Sequence, residues 1–265
     1  MRLAGTLYCI LVLLFLLAPV MVLVPLSFDG SMVPSLPPQE WSLSQYREFL
    51  QSEPWLAALG VSLRVALATM AISLLLGTAA SFALVRGRFP GQDAVSVLLL
   101  SPRFVPIIIT ALAFYALLAK LKLVGTQTGL IIAHTVMAVP YVIIIVSATL
   151  RDLDRALEQA SLSLGAGPAQ TVRKITLPLI RSSMISAAVV AFVVSFDEII
   201  VAIFISGTEA ATLPKKMWDS LVFEMEPMLP AISTLVLAVT VTLFLAIAWV
   251  RWALGRNMAA APPKR

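Results

Sequence analysis

The sequence predicts an all-α membrane protein with six transmembrane helices, and three observations predict it. Of its 265 residues, 60% are hydrophobic and only 12% charged, where soluble domains are about half apolar and a quarter charged. The mean hydropathy is +0.96. The apolar residues also fall in blocks of roughly 20 or more, the length a helix needs to cross a hydrocarbon core of about 30 Å. The same figures exclude disorder, collagen and coiled coil. A single cysteine, Cys9, and a single histidine, His134, exclude a disulfide framework, a cysteine metal site and an HExxH zinc site. Cys9 lies inside an apolar run and reads as a packing residue.

The blocks are located by where charges stop. Residues 7–26 carry none; the run is too long for a signal peptide and lacks an A-x-A cleavage site, so it reads as a retained span. Pro19 and Pro25 are placed to kink or end it. Residues 27–54 are rich in Pro, Ser and Gln, and Trp41, Leu43, Tyr46, Phe49 and Leu50 are spaced for an interfacial amphipathic helix. The second span covers 65–85. Its Gly77, Ala79, Ala80 and Ser81 form a small-residue surface for close helix approach, within this chain or from a second subunit. Arg64, at its outer end, is placed to snorkel toward headgroups.

A Gly- and Pro-marked turn, residues 86–91, leads to a third span at 93–120 with Arg103 inside it. The fourth covers 123–150, where His134 reads as an interhelical hydrogen-bonding residue. The fifth, 182–208, is interrupted only by Asp197 and Glu198, and the sixth, 227–250, is clean. Trp249 and Trp252 read as interface anchors, and residues 261–265 as a frayed tail.

Orientation follows from Lys and Arg placement. With the N-terminus inside, the inner segments hold twelve basic residues and the outer ones five, while eight acidic residues lie outside and four inside. Both termini are therefore expected in the cytoplasm. The net charge of +5 sets topology and does not indicate nucleic acid.

The longest inner segment, about 151–181, is more than a linker. Asp152 or Asp154 can cap a helix running to about Leu164, with Leu153, Leu157, Ala160 and Leu164 at helical spacing on one side. Gly165 suits a left-handed C-terminal position, Pro168 suits the first turn of a second helix, and Pro178 marks the junction with the fifth span. A helix–Gly–helix elbow projecting into the cytoplasm follows, suited to docking another protein or to packing on its own bundle.

At these residues the sequence resembles the permease subunits of bacterial ATP-binding-cassette (ABC) importers, whose EAA loop reads E-A-A, three residues, Gly, nine residues, Ile, one residue, Leu-Pro. Aligned on Gly165, this chain supplies Gln159, Ala160, Ser161, Gly165, Ile175, Leu177 and Pro178 with every spacing kept. The acidic position holds Gln159, with Glu158 one residue early. Either Glu158 supplies the charge from a neighbouring angle or the charge is dispensable. The resemblance covers about residues 57–252, the core of a single transmembrane domain that the six-span layout extends to 1–265. Ser195-Phe-Asp-Glu-Ile-Ile and Thr212-Leu-Pro-Lys-Lys-Met-Trp218 are similar to the spermidine/putrescine permeases of that family.

The resemblance implies a type I importer permease fold in a bacterial inner membrane. It also implies a second permease subunit, a cytoplasmic ATPase dimer that receives the elbow, and an external substrate-binding protein. The solute implied is a polyamine; an amino-acid-like compound, a phosphonate or another cation is the alternative on the same machinery. ATP and Mg would be bound by the ATPase, since no Gly-Lys pair exists here to build a P-loop, and no cofactor is expected in this chain. Asp197 and Glu198 could instead shuttle protons in a proton-coupled carrier, although the elbow then has no role. Within the membrane, Asp197 could pair structurally with Arg103, or the carboxylates could line a path for a cation.

Overall fold

The structure, a computed structural model, describes residues 2–224 and 226–259, with side chains for 5–224 and 226–249. In chain order the helices are α1 (Arg2–Leu26), α2 (Ser44–Gln51), α3 (Glu53–Arg86), α4 (Gln92–Leu100), α5 (Ile107–Lys120) and α6 (Gln127–Asp152). Then come α7 (Arg155–Ser163), α8 (Pro168–Thr171), α9 (Leu177–Phe196), α10 (Ile200–Ile205), α11 (Leu213–Asp219) and α12 (Leu229–Ala259). Among the described residues five helices are long and apolar enough to cross a membrane, and six when the bent pair α4–α5 is taken as one span.

The residues up to 58, together with 216–241, form one compact unit. Helix α1 continues through Pro19 and stops just after Pro25. None of its spanning stretch is fully buried among the described residues, and Cys9, expected to pack, is exposed. The loop that follows closes on Asp29, whose carboxylate accepts from the Ser31 and Ser35 amides at 3.0 and 2.8 Å. The hydrogen bond from the Ser35 amide leads in holding this carboxyl below its ordinary range.

The amphipathic segment forms at α2, and part of its apolar face packs on the chain. Tyr46 packs on Phe28 and donates to Ser27 Oγ at 2.6 Å, and Phe49 is buried against Trp55. Only Trp41, Leu43 and Leu50 of the predicted stripe remain exposed. Amphipathic spacing identifies a face that needs covering and does not say whether lipid or protein covers it. Trp55 donates its indole N–H to Glu226 at 2.8 Å, beneath the Lys216 ammonium at 4.9 Å from the ring centroid. Burial raises the Glu226 carboxyl above its ordinary range.

Residues 59–215, with those from 242 onward, form the second unit. Here α3 lies directly against α6: a Cβ on Gly77 would stand 2.6 Å from Val142, and Ser81 Oγ donates to the Ile143 carbonyl at 3.3 Å. Gly77 and Ser81 of the small-residue surface thus pack within this chain, while Ala79 is exposed. Arg64 donates to Gln127 at 3.2 Å. One apolar cluster gathers Val65, Leu118, Leu130 and Ile205; another joins α6 to α9 through Val142, Leu150, Ile180 and Ala191. His134 is buried, its Nδ1 2.8 Å from Ser195 Oγ, the interhelical hydrogen bond its position predicts.

Two expected spans are broken. The third bends by 100° between Gln92–Arg103 and Ile107–Lys120, where Pro102 and Pro106 cannot continue a helical ladder. The fifth stops at Phe196 and resumes at Ile200. Trp249 is exposed; the Trp252 side chain and residues 261–265 lie outside the described residues.

Candidate functional site

The elbow is built by local rules. Asp154 caps α7 by accepting from the Ala156 amide at 2.9 Å. Gly165 has φ +86° and donates to the Leu162 carbonyl at 3.0 Å, and Ala166 reaches the Ser161 carbonyl at 3.2 Å. This ending is the left-handed one that glycine adopts without a Cβ penalty. Pro168 opens α8, and Ser161 Oγ lies 3.1 Å from Thr171 Oγ1, joining the two arms. A five-residue π turn, Val172–Thr176, then runs straight into α9, so the second arm and the span form one helical body with no break at Pro178.

No side chain of α7 is buried. Gln159 and Ala160 are exposed and Ser161 half-buried. Leu157, Leu162 and Leu164 are also uncovered, Leu164 to 89%. Ile175 and Leu177 are half-buried and Pro178 exposed. Glu158 points the other way: it pairs with Arg86 Nε at 2.9 Å and accepts from Thr176 Oγ1 at 3.0 Å. Arg86 and Thr176 are absent from the sequence-predicted set. The one local sign of Arg86 is a cation in the last turn of an apolar helix, where it favours the macrodipole.

The intramembrane charges sit at the two helix breaks. Asp197 follows the last residue of α9, its amide bonded to the Val193 carbonyl and its side chain exposed. Glu198 is half-buried and, from the position before the N-cap Ile199, accepts from the first-turn Val201 amide of α10 at 2.9 Å. Arg103, at the bend of the third span, lies over Tyr141 of α6 with its guanidinium carbon 5.3 Å from the ring centroid. Arg103 and Asp197 form no ion pair; the guanidinium is turned onto Tyr141 instead.

Residues 71–258 match the model of a family described as "Binding-protein-dependent transport system inner membrane component". The chain belongs to this family. The permease is 35% identical over 243 residues to the putrescine transport system permease protein PotI of Escherichia coli (strain K12), covering 89% of this chain and 85% of that protein. It is 28% identical over 235 residues to the spermidine/putrescine transport system permease protein PotC of the same strain, covering 88% of each. A crystal structure of a bacterial ABC transporter involved in the import of the acidic polysaccharide alginate contains a chain similar in fold. Its TM-score is 0.72 at 15% identity, covering 93% of this permease and 96% of that chain. A multi-pass inner-membrane permease subunit of an ABC importer is therefore its class.

Proposed function

We propose that this permease is one of two subunits forming the path of a polyamine importer, driven by a cytoplasmic ATPase dimer and fed by an external binding protein. Its termini and the loop at 151–181 face the cytoplasm, and Gln159, Ala160, Ser161, Gly165, Ile175, Leu177 and Pro178 shape the elbow that seats on the ATPase. The observation that supports this most is the elbow itself: capped at Asp154, sharply turned at Gly165, and exposing the apolar side chains of Leu157, Leu162 and Leu164. The names of the PotI and PotC relatives support a polyamine. So does the placement of Asp197 and Glu198 at a helix break, where the C-terminal carbonyls of α9 add negative potential. Reconstitution with the cognate ATPase, second permease and binding protein tests this. ATP-dependent uptake of labelled putrescine that survives a proton uncoupler is expected; uptake that collapses with the proton gradient and ignores ATP overturns it in favour of a proton-coupled carrier.

A further inference from the structure

The end of α3 and the start of the elbow are tied together by reciprocal bonds. From α3, Arg86 reaches out twice: its Nε pairs with Glu158 Oε2 at 2.9 Å, and its Nη2 donates to the Leu153 carbonyl at 3.2 Å, where α6 gives way to α7. From the elbow, Arg155 reaches back, donating to the Val85 carbonyl at 2.7 Å. Thr176 of the π turn donates to the same Glu158 carboxylate at 3.0 Å. The pair is largely shielded, with side-chain exposures of 16% and 17%.

Two of these bonds satisfy a general need. The last carbonyls of a helix have no partner in their own ladder, and the Val85 carbonyl of α3 and the Leu153 carbonyl at the end of α6 each receive a guanidinium from the other side of the joint. Arginine suits this task because its planar fork offers several fixed donors, so one side chain can hold a carboxylate and a carbonyl together. A lysine would keep the charge and lose the second bond.

We infer that Arg86 and Glu158 form a latch that makes the cytoplasmic end of α3 and the elbow move as one body during transport. The inference rests on the proposed docking of the elbow on an ATPase and assigns the force a second route into the membrane. Covalent continuity carries displacement from the elbow into α9 and α6. The latch carries it into α3, a helix of 34 residues about 50 Å long at 1.5 Å per residue. Arg86 is in this sense a positioning residue: it touches neither solute nor nucleotide.

The test uses the complete importer in nanodiscs. Spin labels are placed at Ala156→Cys on α7 and Arg88→Cys beyond α3, both exposed, in a Cys9→Ser background. Inter-label distances are measured without nucleotide and after trapping with ATP and vanadate. The expected result is one narrow distribution that moves by less than about 2 Å on trapping, the scale of a small helix shift. In Arg86→Ala it should broaden and separate into two states on trapping, while Arg86→Lys stays intermediate. Exchanging the partners, Arg86→Glu with Glu158→Arg, restores the ion pair without the Leu153 bond and should narrow the distribution relative to Arg86→Ala, without reaching the parental width. Should Arg86→Ala fail to insert, the isosteric Glu158→Gln carries the same comparison. A parental distance that shifts well beyond 2 Å, or an Arg86→Ala distribution like the parental one in both states, overturns the latch. Docking is read separately, by co-purification of the ATPase. If the parental permease does not retain its ATPase, the docking proposal fails and the latch falls with it.

Discussion

Arg103 lies over the ring of Tyr141, 5.3 Å from its centroid, and leaves Asp197 unneutralised by it. A guanidinium on an aromatic face is stabilised by the ring quadrupole, so the arginine has a partner on α6 and the carboxylate keeps its exposure. Asp197→Asn should therefore leave assembly unchanged and slow the uptake of labelled putrescine, and Arg103→Gln should not rescue it. Putrescine uptake at the parental rate by Asp197→Asn would remove the carboxylate from the path.

Glu198 has a different job, since its side chain accepts from the first-turn Val201 amide of α10. Glu198→Gln retains an acceptor oxygen and should hold thermal stability, whereas Glu198→Ala should lose about 1 kcal/mol, as for a deleted helix cap. Melting of the purified variants in detergent distinguishes them, and equal melting temperatures for both would contradict that role.

At the elbow, Gly165 and Gly167 make a controlled comparison, because both have open space where a Cβ would go. Only Gly165 has a positive φ, +86°, so Gly165→Val should cost about 1–2 kcal/mol of backbone strain, weaken retention of the ATPase and leave insertion intact. Gly167→Ala should behave as the parent. Loss of ATPase retention in both variants to the same degree would show that contact surface, and not backbone conformation, matters there.

Helix contact inside the membrane is tested at Gly77, where a Cβ would stand 2.6 Å from Val142. Gly77→Ala should force α3 and α6 apart and destabilise by about 1–3 kcal/mol, the usual cost of overpacking. A melting temperature equal to the parent's would mean the two helices yield without strain.

The Asp29 loop gives a pH dependence. Its carboxyl titrates below the ordinary value of 3.8, so the ionised form stabilises the loop at pH values above that figure, and the contribution is lost as acidity increases toward the folded-state value. The protection factors of the Ser31 and Ser35 amides, taken against the intrinsic exchange rate at each pH, should stay constant from neutral pH to about pH 4 and fall below it. Asp29→Asn should show low protection at every pH, with no step near pH 4.

Orientation is checked by reporter fusions. Those after Gly91 and Gly165 should report cytoplasm and those after Pro37, Gly125 and Glu209 the periplasm. A periplasmic report at Gly165 would leave the elbow on the wrong side of the membrane.

The elbow was legible because each of its parts obeys a rule of a few residues: Asp154 before a helix, Gly165 after one, Pro168 opening the next. The spans were legible for the same reason, as charge-free runs. Arg86 and Glu158 stand 72 positions apart, and no local pattern joins them. The break at Asp197–Ile199 has neither glycine nor proline to announce it. A charge inside an apolar run shows that Arg103 needs a partner, and the run does not say which way around the helix its side chain turns. The stripe at Trp41–Leu50 showed a face without showing its cover.

The π turn at Val172–Thr176 sets a phase relation between cytoplasm and membrane. Elbow and span share one screw, and each residue added or removed advances it by about 100° and 1.5 Å. A π turn holds one residue more than the α ladder around it, so losing one residue there returns the chain to the α ladder with little change of phase, whereas losing one from the α ladder of α9 would swing the elbow by about 100° relative to Asp197. Side chains between Pro168 and Phe196 can be exchanged far more freely than their number can be altered.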